Sequence, residues 1–282
     1  MSSILNWPNL LWALVLAGAV CIFAAFLLLH ALIQSHITKV PKWRSRYSSV
    51  HLLVVLGSGG HTAEMFSMLR RVKLDPTRYT HRTYVVSSGD NFSAKKAVEF
   101  ERTYLTQKDE SSATAKGQLS PTGSFSIVTV PRARRVHQSY LTAPFSTLGS
   151  FWSCLLVLRG LHPDQKHIPP QPSHSRYPDI ILTNGPATAV CVILAARLLR
   201  LWHALHVAVG LGSHSGSDTT LSSDFKLRTI FVESWARVTT LSLSGKLLLP
   251  FADRFLVQWP ELAGRKAWRG MRQAEYVGTL VD

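Results

Sequence analysis

The run His51-Leu52-Leu53-Val54-Val55-Leu56, followed by Gly57-Ser58-Gly59-Gly60-His61-Thr62, constrains this chain more than any other segment. An unbroken apolar, β-branched run reads as a strand buried on both faces, as in a parallel sheet. The segment from Thr62 to Arg71 that follows has helical character. A strand, a glycine turn and a helix N-terminus together form a receptacle for phosphate. Unpaired N–H groups and the positive end of the helix dipole converge there. Ser58, Gly59 and Gly60 would supply that backbone, and His61 stands at the mouth of the turn. A tight strand-to-helix turn without a ligand has the same outline; the His61 ring is what favours a bound group.

Common nucleotide signatures do not fit this loop. A P-loop ends in Gly-Lys-Ser/Thr, whereas Gly60 is followed by His61. The dinucleotide fingerprint needs a third glycine three residues after the second, and position 62 is Thr. It also needs an acid closing the second strand. The second strand expected here, Arg82 to Ser87, runs into Ser88 and Gly89, with Asp90 already in the loop. A nicotinamide oxidoreductase is therefore disfavoured.

Leu10 to Leu29 carries no charge and is long enough to cross a bilayer. Trp7 precedes it as an interfacial anchor, and Lys39, Lys42, Arg44 and Arg46 follow it. The positive-inside rule then puts the bulk of the chain in the cytosol. A cleaved signal peptide would want a basic start, a shorter apolar core and a small-residue cleavage site, and these are poorly met. The expected organisation is a short lumenal end over 1–9, a transmembrane helix over 10–33, a basic juxtamembrane linker over 34–48 and one domain over 49–282. The formal charge of +15 implies an anionic partner. Basic residues are not interleaved with aromatics as a single-strand nucleic-acid binder requires. For a tethered chain, a lipid or a lipid-linked phosphate fits better. Cys21, Cys154 and Cys191 are scattered, which suits a reducing compartment and offers no metal spacing.

Beyond the linker, strand candidates alternate with helical stretches, the pattern of a parallel sheet covered by helices. The strands are His51–Leu56, Arg82–Ser87, Ser126–Val130, Asp179–Leu182, Thr229–Val232 and Phe255–Gln258; the helices are Thr62–Arg71, Tyr140–Arg159, Ala187–Leu199 and Gly245–Leu249. Polar or Pro/Gly/Ser-rich segments at 106–124, 162–178 and 212–224 read as inserted loops. The fold class is thus α/β, one Rossmann-like domain preceded by one transmembrane helix. Two further loops fall where such sheets bind ligands, at the carboxyl ends of strands. Arg132, Arg134 and Arg135 follow the third strand with fork-shaped donors suited to phosphate. Asn184, Gly185, Pro186 and Thr188 follow the fourth, where a plain helix cap is the alternative.

The Gly57–Thr62 loop, the Arg132–Ser139 loop, Pro178–Pro186, Phe231–Val238, Leu241–Lys246 and Asp253–Pro260 occur here in one order. In that series the chain resembles the family of membrane-anchoring subunits of the split endoplasmic-reticulum UDP-N-acetylglucosamine transferase. That enzyme adds the second GlcNAc to dolichyl-diphosphate-GlcNAc in assembly of the N-glycan precursor. The resemblance implies the amino-terminal, acceptor-binding half of a GT-B glycosyltransferase. A soluble partner subunit would bring the donor-binding half. It also implies a single-pass protein of the endoplasmic-reticulum membrane or nuclear envelope, with its domain facing the cytosol.

The resemblance further implies transfer with inversion, which needs one general base and no covalent intermediate. The chain has no Asp-x-Asp pair, so no metal and no other cofactor is expected. Ser58, Gly59, Gly60, Arg132, Arg134, Arg135 and Asn184 are expected to hold the acceptor diphosphate. His61 is a candidate base or acceptor contact, with a structural hydrogen bond as its alternative. Glu233 is a second candidate, or else an ion-pair partner for Arg237 four residues on. The apolar tail, with Thr279, Leu280 and Val281, is expected to bind the partner subunit. A membrane scaffold that contributes no site residues is the competing expectation. The charge asymmetry about the apolar span makes a topology prediction. Protease added to intact microsomes should digest everything beyond the Lys39 region; full protection of the domain would reverse the assigned orientation.

Overall fold

The computed structural model describes residues 11–12, 14–16, 18–19, 49–72, 74–105, 123–134, 138, 142–165, 177–185, 187–208 and 226–281. In chain order the strands are β1 (His51–Val55), β2 (His81–Ser87), β3 (Ser124–Val130), β4 (Ile180–Asn184), β5 (Arg228–Val232), β6 (Arg254–Val257) and β7 (Glu275–Tyr276). The helices among the domain's described residues are α1 (Gly60–Arg71), α2 (Asn91–Glu99), α3 (Ala143–Leu158), α4 (Ala187–Ala208) and α5 (Leu243–Leu248). All strand pairs are parallel, in the order β3-β2-β1-β4-β5-β6-β7. The α/β class and the parallel sheet expected from sequence are both present. The six anticipated strands are all found, with ends displaced by no more than two residues. Among the elements not anticipated are α2 and β7. α2 is capped by the Asp90 carboxylate, which accepts from the Ser93 N–H at 3.1 Å. The two-residue β7 closes the far edge of the sheet.

Side chains of β1 alternate between two cores, which explains the unbroken apolar run. Leu52, Val54 and Leu56 join Met65, Phe66 and Leu69 of α1, with Ala97 and Phe100 beyond. Leu53 and Val55 join Cys154, Val157 and Leu158 of α3 and Cys191, Val192 and Ala195 of α4. A strand covered on both faces takes a polar side chain only where it finds a partner, as His51 does in the Thr83 hydroxyl at 2.9 Å. Each fully buried aliphatic or aromatic residue of this kind contributes about 1.5–3 kcal/mol. A third cluster packs Ala189 and Ile193 of α4 against Phe231, Phe255, Val257 and Leu248.

Among the described residues one helix is long and apolar enough to cross a membrane by length and composition, Ala187–His206 within α4. Its buried face, with Cys191, Val192, Ala195 and Ala196, belongs to the domain core. The expected span over 10–33 lies mostly outside the described residues, as do 1–9 and 34–48. Within it Leu11, Trp12, Leu14, Val15 and Leu16 are helical and exposed. Most of the expected loops at 106–124, 162–178 and 212–224 also lie outside, although Pro163–Gln165 forms a short 3₁₀ turn.

At the amino edge of the sheet one buried carboxylate, Asp253, joins β5, β6 and α4. It accepts from the Thr229 N–H at 2.9 Å, from Arg200 at 2.8 and 2.9 Å, and pairs with Arg197 at 3.0 Å. Burial raises its pKa, but Arg197, Arg200 and the Thr229 N–H outweigh that and hold it far below the usual carboxylate range. A depressed folded-state pKa contributes stability that is fully present above the unfolded value and is lost progressively as pH falls from there through the folded one. Asp253→Asn should therefore cost about 3–5 kcal/mol at neutral pH, as for a broken buried pair. Denaturant titrations should show that difference shrinking below pH 3.8, the ordinary value for the group. A pH-independent difference would mean that the charge is not the stabilising element.

Candidate active site

The strand order reverses between β1 and β4, the point at which the loops of a parallel α/β sheet part and leave a crevice. Two of the three expected loops flank it. α1 starts at Gly60, and its N-cap is Gly59, with φ 61° and no capping side chain. The first-turn N–H groups of a helix have no partner inside it. Here no cap side chain covers them, and Ser58, Gly59 and Gly60 are exposed. Thr62, by contrast, is fully buried. Its hydroxyl donates to the Gly57 carbonyl and lies 2.6 Å from Ser93 Oγ, which donates to Asp90 Oδ2 at 2.7 Å. The Gly loop is thereby fastened to the start of α2.

His61 is packed between the two loops of the switch point. A Cβ on Gly57 would come within 2.7 Å of His61 Cβ, and one on Gly185 within 2.9 Å of His61 Cγ. Gly185 also has φ 89°, a conformation that L side chains rarely adopt. The residue that sequence reasoning missed is Glu64, one turn into α1. Its Oε2 accepts from Asn184 Nδ2 at 2.9 Å, and its Oε1 accepts from Ser234 Oγ at 2.8 Å. His61 Nδ1 lies 3.7 Å from Oε2. Burial raises the Glu64 pKa, but His61, Ser234 and Asn184 together hold it below the usual carboxylate range. One carboxylate thus links the ends of β4 and β5 to α1. Its partners lie 120 and 170 residues away in sequence, so no local motif marks it.

The other expected residues fall as follows. Glu233 is 1% exposed and follows β5. Its carboxylate accepts from the Ser242 N–H and hydroxyl, both at 3.1 Å, and from the Ser234 N–H at 3.1 Å. A side chain on Gly245 would collide with it. Neither expected role, base or Arg237 partner, matches these contacts, which hold the 233–242 loop onto the start of α5. Arg132 reaches across to β2, donating through Nε to the Ser88 carbonyl at 2.8 Å, with Nη2 over Gly89. Arg134 is exposed, and its Nη2 lies 3.4 Å from the Gln138 carbonyl. Arg135 lies outside the described residues. Thr188 meets Ser87 Oγ at 2.9 Å.

In the tail, Leu280 and Val281 pack against the domain's own core, and the Leu280 N–H donates to Gln258 Oε1 at 2.9 Å; Thr279 is exposed. Beside the site, Trp259 Nε1 donates to the Trp235 carbonyl at 2.6 Å and their rings lie 5.9 Å apart, with Trp235 exposed.

The geometry of Gly185 makes a direct prediction. Gly185→Ala forces both a strained φ and a clash with His61, and should cost more than about 1 kcal/mol. Gly149→Ala, in open space on α3, should be neutral or stabilising by up to about 1 kcal/mol. Equal effects in denaturant melts would remove the steric argument.

A family model described as "Oligosaccharide biosynthesis protein Alg14 like" matches residues 52–280. A curated protein of Aspergillus fumigatus, named UDP-N-acetylglucosamine transferase subunit alg14, is 64% identical, over 77% of this chain and 100% of that one. The namesake of Schizosaccharomyces pombe is 37% identical, over 82% of this chain and 83% of its own. That of Mus musculus is 35% identical, over 76% and 77%. No solved structure gives a significant match.

Proposed function

The chain belongs to the Alg14 family, and on that premise we propose that it is the membrane-anchored, acceptor-binding subunit of a two-part UDP-GlcNAc transferase. The reaction is transfer of GlcNAc to GlcNAc-diphosphate-dolichol at the cytosolic face of the endoplasmic reticulum. One observation carries this reading. An uncapped helix N-terminus, an imidazole and a side-chain amide meet where the strand order reverses. The N–H groups of the Gly59–His61 turn take one phosphate of the acceptor. Arg132, Arg134 and Arg135 balance the remaining charge from the loop after β3, two strands along the sheet from β1.

His61, a third exposed, is the group this reading assigns to the acceptor hydroxyl. Glu233 is too deeply buried and too fully hydrogen-bonded for that task. It serves by shaping the loop that carries Ser234. The single sheet supplies one wall of a GT-B cleft. A soluble subunit supplies the other wall and the nucleotide-sugar site. The tail reaches that partner through its exposed residues, Thr279 among them, while Leu280 and Val281 anchor it to this domain.

In a reconstituted pair with a lipid-diphosphate-GlcNAc acceptor, Arg134→Ala should raise the acceptor KM about tenfold. A charge-assisted contact is worth roughly 1.5–3 kcal/mol, and about 1.4 kcal/mol is one decade. The UDP-GlcNAc KM should change little, Arg134→Lys should recover only part of the loss, and this chain without its partner should transfer nothing. A change in donor affinity alone would place the diphosphate elsewhere.

A further inference from the structure

We propose that Glu64 is a positioning residue that acts through His61. Its carboxylate fixes the imidazole with Nδ1 turned inward, which leaves Nε2 for the acceptor hydroxyl. The inference rests on the reading of His61 given above and assigns a role to a residue that reading does not use. Three observations support it. His61 Nδ1 is buried with no hydrogen-bond partner, although the ring as a whole is a third exposed. The Glu64 carboxylate lies 3.7 Å from that nitrogen, an ion-pair distance longer than a hydrogen bond. Such contacts are often long without substrate and tighten when it binds. Finally, Glu64 cannot swing away, because Ser234 holds one oxygen at 2.8 Å and Asn184 the other at 2.9 Å.

The direction of the Glu64 pKa agrees with this division of labour. A carboxylate held ionised below its ordinary range is a weak base but a steady acceptor for an N–H. With Nδ1–H directed at Glu64, the basic lone pair of the ring sits on Nε2, the arrangement in which a third group orients a general base. In the transfer step the acceptor O–H proton passes to Nε2. The acceptor oxygen forms the new bond to the anomeric carbon of UDP-GlcNAc. UDP leaves with the electron pair of the bond that breaks. Spacing contributes as well, since residues three apart on α1 share one face of the helix.

The competing role is a clamp that merely ties β4 and β5 to α1, and a double-mutant cycle on kcat separates the two. The reconstituted pair is assayed with His61→Ala, Glu64→Gln and the double variant, using UDP-GlcNAc and a lipid-diphosphate-GlcNAc acceptor. Glu64→Gln should lower kcat about 10- to 100-fold, by analogy with the loss seen when the carboxylate that orients a metal-bound imidazole is removed. The acceptor KM should stay within about twofold, a change small beside one decade of affinity. The double variant should be no slower than His61→Ala. Ser234→Ala, which keeps the charge but loosens its hold, should give a smaller loss of kcat that vanishes in the His61→Ala background. This variant carries the test if Glu64→Gln does not fold.

Losses that multiply in the double variant would overturn the proposal, as would a Glu64→Gln effect confined to KM or to melting temperature. His61→Ala with full turnover would instead overturn the role of His61 itself. That result is distinguishable from additivity against an impaired His61→Ala background.

Discussion

The close approach of the His61 ring to two glycine backbones is the constraint on which the carboxyl edge of this sheet depends. β1 and β4 are adjacent strands whose following loops turn to opposite sides, and the ring fills the gap between them. Gly57 and Gly185 leave no room for a side chain on either side of it. Gly185 in addition holds a backbone conformation closed to most residues. With the ring seated there, the bare first turn of α1 opens beside it, and Glu64 faces both Asn184 and Ser234. Moving any one of these elements moves the others.

Two carboxylates, one buried and one half-buried, organise the two ends of the sheet in different ways. Asp253 at the amino edge is surrounded by arginines and stabilises by charge. Glu64 at the carboxyl edge is held mainly by uncharged donors and keeps its negative charge next to an imidazole. The first arrangement is a structural lock. The second leaves a directed charge in a crevice, the kind of environment in which functional groups are found.

Much of the fold was legible because parallel strands buried on both faces are apolar over most of their length, polar side chains such as Arg82 entering only with a buried partner. Leu52–Val55 of β1 and Ile180–Leu182 of β4 announced themselves in that way. α2 did not: its sequence NFSAKKAVE is half polar, and its start is set by Asp90, which looked like a loop residue. β7 has only two residues and owes its existence to the β6 edge beside it. The Gly loop and Asn184 were readable at the site because glycine and turn chemistry are local signals. Glu64 was not, since it looks like an ordinary helix acid until β4 and β5 arrive from far along the chain. Glu233 was singled out for its place at a strand end, yet its contacts tie it to the backbone of its own loop. The tail reads as a partner-binding segment, and Leu280 and Val281 are in addition partly buried against this domain's own core.

In the function proposed above, the acceptor diphosphate sits on the first turn of α1 at the β1–β4 switch point. Amide hydrogen exchange on the reconstituted pair, with and without a short-chain polyprenyl-diphosphate-GlcNAc, tests this placement most directly. Exchange should slow at Gly59, Gly60 and His61 and in the turn at Gly185, and the amino edge around Arg228 should stay unchanged. Unchanged exchange in both turns, with protection appearing at the amino edge instead, would contradict it.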